Sequence, residues 1–160
     1  IYSTVPDSRS GIFRQNIPGK SDSEMEKGER QTFSRNERLR GSSLIDDLFK
    51  TGNFFTTSLF RVIWMIPSEQ IPSPAQIAVS VPKRAFRHAN DRNLLKRRIR
   101  ESYRRRKQSL YSFLIEEDIR LVFILIYRSN QIEDFSAIDR SVKETIDRLC
   151  KNAAMKHGKS

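Results

Sequence analysis

Apolar positions along the 160-residue chain alternate between helical and strand periods. The first clear pattern is Leu44, Ile45, Leu48 and Phe49, a stripe at helical spacing that Ser42 or Ser43 can cap and Gly52 can stop. From Asn53 to Ile66 the period becomes two, with a break near Thr57 and Ser58 that predicts a short strand followed by a longer one. In the longer strand Phe60, Val62, Trp64 and Ile66 alternate with Arg61, Ile63 and Met65, so one face is apolar and the other mixed. Pro67, Pro72 and Pro74 bound a polar loop, and Ala75 to Val81 reads as a third strand whose continuous IAVSV predicts burial on both faces. Pro82 then ends the strand. A helix starts near Asn90 or Asp91, either of which can cap it, with Leu95, Ile99 and Tyr103 as a narrow apolar stripe. Leu121 to Tyr127 is uninterrupted and predicts a central strand. Ile138, Val142, Ile146, Leu149 and Ala153 predict a last helix beginning at Ser136 and fraying after Lys151.

The expected order is αβββαβα, an α+β single domain. Its 160 residues, 37% hydrophobic, suit one core and not two. Residues 1–31 mix Ser, Gly, Pro and both charges without a period, which predicts a disordered tail before a domain over 32–153 and a frayed end over 154–160. Ser34 and Glu37 stand at capping-box spacing at the domain's start. No repeat is present. A strand, a helix and a strand in one sheet would by default cross over right-handed.

Charge changes this picture at one place. The net charge is +11, and twelve of the 30 Lys and Arg but only two of the 19 Asp and Glu lie between Lys83 and Lys107. Beside the apolar stripe of that helix fall Lys96, Arg100, Asn93, Arg104 and Arg97, while Arg98, Glu101 and Arg105 point elsewhere, toward solvent. Nearly all these charges share one sign, and acids that could pair at i, i+4 are scarce, so the like charges repel until a polyanion relieves them. A nucleic-acid backbone is the partner this predicts.

Other chemistry finds little support. Cys150, the single cysteine, stands in the last helix without metal-ligand spacing, which suits packing in a reducing compartment. Leu121 to Tyr127 is too short to span a bilayer, and a cytoplasmic protein is expected. A metal nuclease would need clustered carboxylates. Glu116, Glu117 and Asp118 are adjacent, but in a loop before a strand they read as offsetting nearby bases or terminating a helix, and His88 and His157 lack an acid partner. A membrane-surface helix would need a wider apolar stripe than Leu95, Ile99 and Tyr103 provide. The rival to a dedicated RNA-processing role is a non-catalytic basic RNA-binding protein, such as a ribosome-associated one.

The run ANDRNLLKRRIRESYR resembles the RNR signature of the bacterial ribonuclease P protein subunit, a basic run on a helix just after a strand ending like Ser80, Val81, Pro82, Lys83, Arg84. LIDDLFKTGNFF is similar to that family's first helix and turn, and the element order matches from about Phe33 to Leu149. The resemblance implies a left-handed β-α-β crossover through the basic helix, against the default. It implies a non-catalytic cofactor to a catalytic RNA that removes the 5′ leader of precursor tRNA with metal-bound water, so Mg²⁺ belongs to the holoenzyme, and no catalytic or metal-binding residue is expected in the protein. The partners implied are the catalytic ribonuclease P RNA and precursor tRNA, with no membrane and no small-molecule substrate. Matched by position, Arg92, Asn93, Lys96, Arg97, Arg100 and Arg104 on the helix and Lys83 and Arg84 at the strand end would meet the catalytic RNA. Phe49, Phe60, Ile63 and Ile45 would line the leader cleft. Leu94 stands where the signature has its second Arg, and Ile45 and Ile63 replace frequent aromatics.

Overall fold

The computed structural model describes residues 33–158, so the tail expected over residues 1–31 lies outside the described residues. A 3-10 turn, Arg35–Glu37, opens the fold, and the Ser34 backbone N–H donates to Glu37 Oε2 at 2.8 Å, as the Ser34/Glu37 spacing predicts. Helix α1 is Ser42–Thr51. Strands β1 (Asn53–Thr56), β2 (Phe60–Met65) and β3 (Ala75–Ser80) follow, then helix α2 (Ala89–Glu117), strand β4 (Leu121–Tyr127) and helix α3 (Phe135–Gly158). The sheet order is β1-β2-β4-β3, antiparallel except for the parallel β3–β4 pair that α2 connects.

Strand alternation divides the interior in two. Phe60, Val62, Trp64, Ile77, Phe123 and Leu125 face α2 and α3, where Leu95, Ile99 and Tyr103 are fully buried. On the other face Ile63, Val122 and Ile124 pack beneath Leu48 of α1, with Ile45 and Leu44 half-buried beside them. The apolar continuity of β4 is thus explained by its central place between two cores. Cys150 is half-buried against the larger core, and burial pushes its thiol up to about 11.

Several local expectations need correction. Helix α1 is capped by Gly41 at φ 91°, not by Ser42 or Ser43, because the chain enters through a left-handed backbone that glycine accepts without strain. Strand β3 is an edge strand: Ile77 and Val79 pack into the larger core and Ala78 against the smaller, so both faces are covered as expected, but Ala78 and Val79 are only half-buried and Ser80 is exposed. Helix α2 starts at Ala89 with His88 as cap and runs to Glu117. Asp118, in the left-handed region, stops it as the Ile119 N–H donates to Leu114 O at 2.9 Å. Glu116 and Glu117 are therefore helical, not in a loop. Helix α3 begins at Phe135 and does not fray after Lys151: it continues to Gly158, since Ala153 is completely buried and the Ala-Ala-Met run favours helix.

Gly52 ends α1 for a reason other than backbone freedom. A Cβ there would sit 2.4 Å from Leu48 O and 3.0 Å from Ile63 Cγ2. Gly52→Ala is expected to lower stability by about 1–3 kcal/mol, because neither a carbonyl nor a strand can retreat cheaply. The shift in denaturant midpoint measures this, and an unchanged midpoint would refute the close packing of α1 on β2.

Candidate nucleic-acid interface

The long helix α2 is amphipathic in charge as well as polarity. Its Leu95, Ile99 and Tyr103 stripe is consumed by the core. Asn93, Arg97, Arg100 and Arg104, four of the expected contacts, line one groove of about 360 Å³ together with Phe33 and Glu101. Lys96 lies half-buried on the same side. Glu101 binds Arg104 through two hydrogen bonds, of 3.0 and 2.6 Å, and Arg105 at 3.0 Å, and these arginines hold its carboxyl down to about 2. Arg97 and Arg100 are exposed and have no carboxylate partner among the described residues. They are the cations best placed to meet an anion.

The remaining bases divide by what they touch. Arg92 donates from Nη1 to Phe86 O at 2.8 Å and Arg87 O at 3.0 Å, fastening the connection before α2 to the helix. Lys83 and Arg84 are exposed on the turn that follows β3, and buried Phe86, 5.9 Å from the Tyr127 ring, anchors that turn. Arg98 is not a solvent residue, since it donates to Glu133 O at 2.6 Å. Arg106 grips Asp139 with bonds of 2.8 and 2.6 Å, joining α2 to α3. Lys107 is buried on Glu37. Part of the basic run is thus internal scaffolding. Arg105 remains exposed over the Phe135 ring.

A second concave surface, of about 370 Å³, opens on the α1 side of the sheet, lined by Phe49, Gly52, Phe54, Arg61, Ile63 and Ile126. Phe49 is 57% and Phe54 64% exposed, a costly state for large aromatics unless something covers them. The Arg61 guanidinium lies 4.8 Å from the centroid of the Phe54 ring. Ile63 is in the floor, while Ile45 packs under α1 and is not among the lining residues.

Phe60 is not in this cleft. It is fully buried on the opposite face, 6.1 Å from Tyr127 in an edge-on contact. Phe60 and Ile63 are three residues apart on one strand and must point to opposite sides. Phe54 takes the place that sequence reasoning gave to Phe60. Its signal was the hairpin register, which sets Phe54 directly opposite Ile63 and so on the same face.

Among the described residues no three His, Cys, Asp or Glu side chains come together to hold a metal ion, and no helix is long and apolar enough to cross a membrane.

The family model described as Ribonuclease P matches residues 33–150, most of the chain. The chain belongs to the ribonuclease P protein family. The ribonuclease P protein component of Porphyromonas gingivalis is 32% identical over 120 residues, 75% of this chain and 88% of that protein. The component from Chlorobaculum tepidum is 28% identical over 127 residues, covering 74% and 82%. In fold, the chain is similar to the RNase P protein of Staphylococcus aureus, with a TM-score of 0.58 at 20% identity over 71% of this chain and 94% of that one. The RNase P protein of Thermotoga maritima gives 0.55 at 22% identity, over 70% and 96%. The ribonuclease P family thus shares the mixed α+β single-domain architecture described above.

Proposed function

We propose that residues 32–153 form the RNA-binding unit of a ribonuclease P holoenzyme, in which the α2 stripe meets the catalytic RNA and the α1-side cleft holds the 5′ leader of precursor tRNA. Family membership makes the chain the protein subunit of a ribonucleoprotein endoribonuclease that matures tRNA 5′ ends. The single observation that carries the residue-level reading is the pairing of two unlike surfaces on one domain. One is a row of cations on a rigid helix, and the other is an open cleft with two exposed rings and an arginine. Lys and Arg supply salt-dependent attraction to phosphates, and the planar arginine fork can grip two oxygens. Exposed rings give unstacked bases a face to lie on, worth about 1–3 kcal/mol per base and tolerant of sequence. Such a cleft suits a leader of variable sequence.

In this division the polypeptide supplies affinity and orientation. The Mg²⁺ ions of the reaction would be held by RNA. Glu116, Glu117 and Asp118 are exposed at the end of α2, and among the described residues they are not part of any group of three metal-ligating side chains. The enzyme would work in the cytoplasm, where precursor tRNA is available.

The cleft is tested by the affinity of the assembled holoenzyme for leader-bearing and mature tRNA. Phe54→Ala is expected to weaken precursor binding by roughly fivefold to a hundredfold, from loss of one stacked base, and to leave mature tRNA and protein stability unchanged. Phe60→Ala is expected instead to destabilise the fold by about 3–5 kcal/mol. Equal losses for both tRNAs in Phe54→Ala would remove the leader from this cleft.

A further inference from the structure

The basic surface does not stop at α2. Strand β3 is at the edge of the sheet, and the segment before α1 runs along its outer side: the Leu39 N–H donates to Ile77 O at 2.9 Å, and Arg38 forms an isolated parallel bridge with Ile77. Leu39 is buried in the α1-side core, so by two-residue alternation Arg38 and Arg40 project outward, and both are exposed. The Arg38 guanidinium lies 5.4 Å from the centroid of the Phe33 ring, which meets Tyr103 edge-on at 6.0 Å. A groove of about 220 Å³ carries Phe33, Arg38, Arg40 and Arg100 across the edge of β3, and it shares Phe33 and Arg100 with the groove on α2.

We propose that Arg38 and Arg40, joined to the α2 stripe through Phe33 and Arg100, form a second phosphate-binding arm that carries the backbone of the catalytic RNA around the β3 edge. This rests on the proposed meeting of the α2 stripe with that RNA. Five features support the arm. The acids beside it are already committed, because Glu37 turns inward to Lys107 and Tyr111 and Glu101 is held by Arg104 and Arg105. Among the described residues, no carboxylate pairs with Arg38, Arg40, Arg97 or Arg100. Arg100 titrates below the ordinary arginine value, first from burial and then from the like charge of Arg38, a strain that an anion relieves. The cations also line two adjoining grooves instead of converging on one point, which suits a string of phosphates more than a single small anion. Because the segment is clipped to β3 by backbone bonding, the arm is held in place before RNA arrives, and little ordering cost is left for binding.

The test uses the full chain, a bacterial ribonuclease P RNA without tRNA, and equilibrium binding across 50–200 mM salt. Arg38→Gln with Arg40→Gln is expected to reduce the slope of log affinity against log salt by about two, with the melting temperature unchanged. Arg140→Gln with Lys151→Gln, the same charge change on exposed positions of α3, should leave the slope as in wild type. A steep wild-type slope that the Arg38/Arg40 variant does not change would overturn the arm alone. A flat wild-type profile would overturn the α2 stripe and the arm together. A loss seen only when the assembled holoenzyme binds precursor tRNA would also overturn the assignment, by placing the patch on the substrate.

Discussion

Replacing Arg97 and Arg100 together with alanine is expected to weaken binding to the catalytic RNA and to reduce its salt slope by about two, one for each phosphate no longer neutralised. If about six phosphates are neutralised in the wild type, affinity should fall roughly a thousandfold between 50 and 200 mM salt, so these two arginines account for a third of a steep dependence. Both are exposed on the α2 groove, and neither commits its charge to a carboxylate among the described residues. Arg106→Ala offers the informative contrast. It removes one positive charge from the same helix but breaks the Asp139 clamp between α2 and α3, so its effect should appear in stability more than in the salt slope. Equal slopes for wild type and the Arg97/Arg100 variant would refute this mode of RNA binding.

A large effect on folding is expected at Lys107. Its ammonium and the Glu37 carboxylate form an ion pair that is almost completely out of solvent, and the Tyr111 hydroxyl and the Ser34 N–H also donate to Glu37. Lys107→Met leaves that carboxylate buried without a counter-charge and should cost about 3–5 kcal/mol, whereas adding Glu37→Leu should recover much of the loss. Domains of this size hold only about 5–15 kcal/mol in total, so the single variant approaches unfolding. The pH dependence has a definite sign. Burial alone would raise the Glu37 carboxyl, but the Lys107, Tyr111 and Ser34 hydrogen bonds outweigh it, and the group titrates below its ordinary value. A lowered folded value means that the stabilisation is complete above the unfolded glutamate value and is lost as pH falls through the folded one. In Lys107→Met burial dominates, so protonation then relieves the folded state. The stability gap between wild type and variant should therefore begin to narrow above the ordinary glutamate value of about 4.3 and go on narrowing below it, as urea titrations can measure. A gap that stays constant in acid would show that Glu37 is not the group responsible.

Periodicity made much of this fold legible. Leu95, Ile99 and Tyr103 are buried as a stripe at helical spacing demands, and β4 is central as its unbroken apolar run implies. The duties of individual cations were not legible. Arg98, Arg106 and Lys107 look like their neighbours in sequence, yet their partners lie 35, 33 and 70 residues away in the chain. Local spacing cannot reveal such pairs. The same limit explains the cleft. Strand parity alone separates Phe60 from Ile63, but recognising Phe54 requires the β1–β2 register that places it opposite Ile63. The edge position of β3 was likewise hidden, because a continuous apolar run reads alike whether the strand is flanked on both sides or covered on one edge by the Arg38–Leu39 segment.

The central claim is that this chain promotes precursor tRNA cleavage as the partner of a catalytic RNA. Single-turnover cleavage of precursor tRNA at low Mg²⁺ by a bacterial ribonuclease P RNA, with and without the full chain, tests it most directly. The account predicts no cleavage by the protein alone and strong stimulation of the RNA, diminished in the Arg97/Arg100 variant. Cleavage without the RNA, or salt-sensitive RNA binding that never stimulates it, would contradict the account.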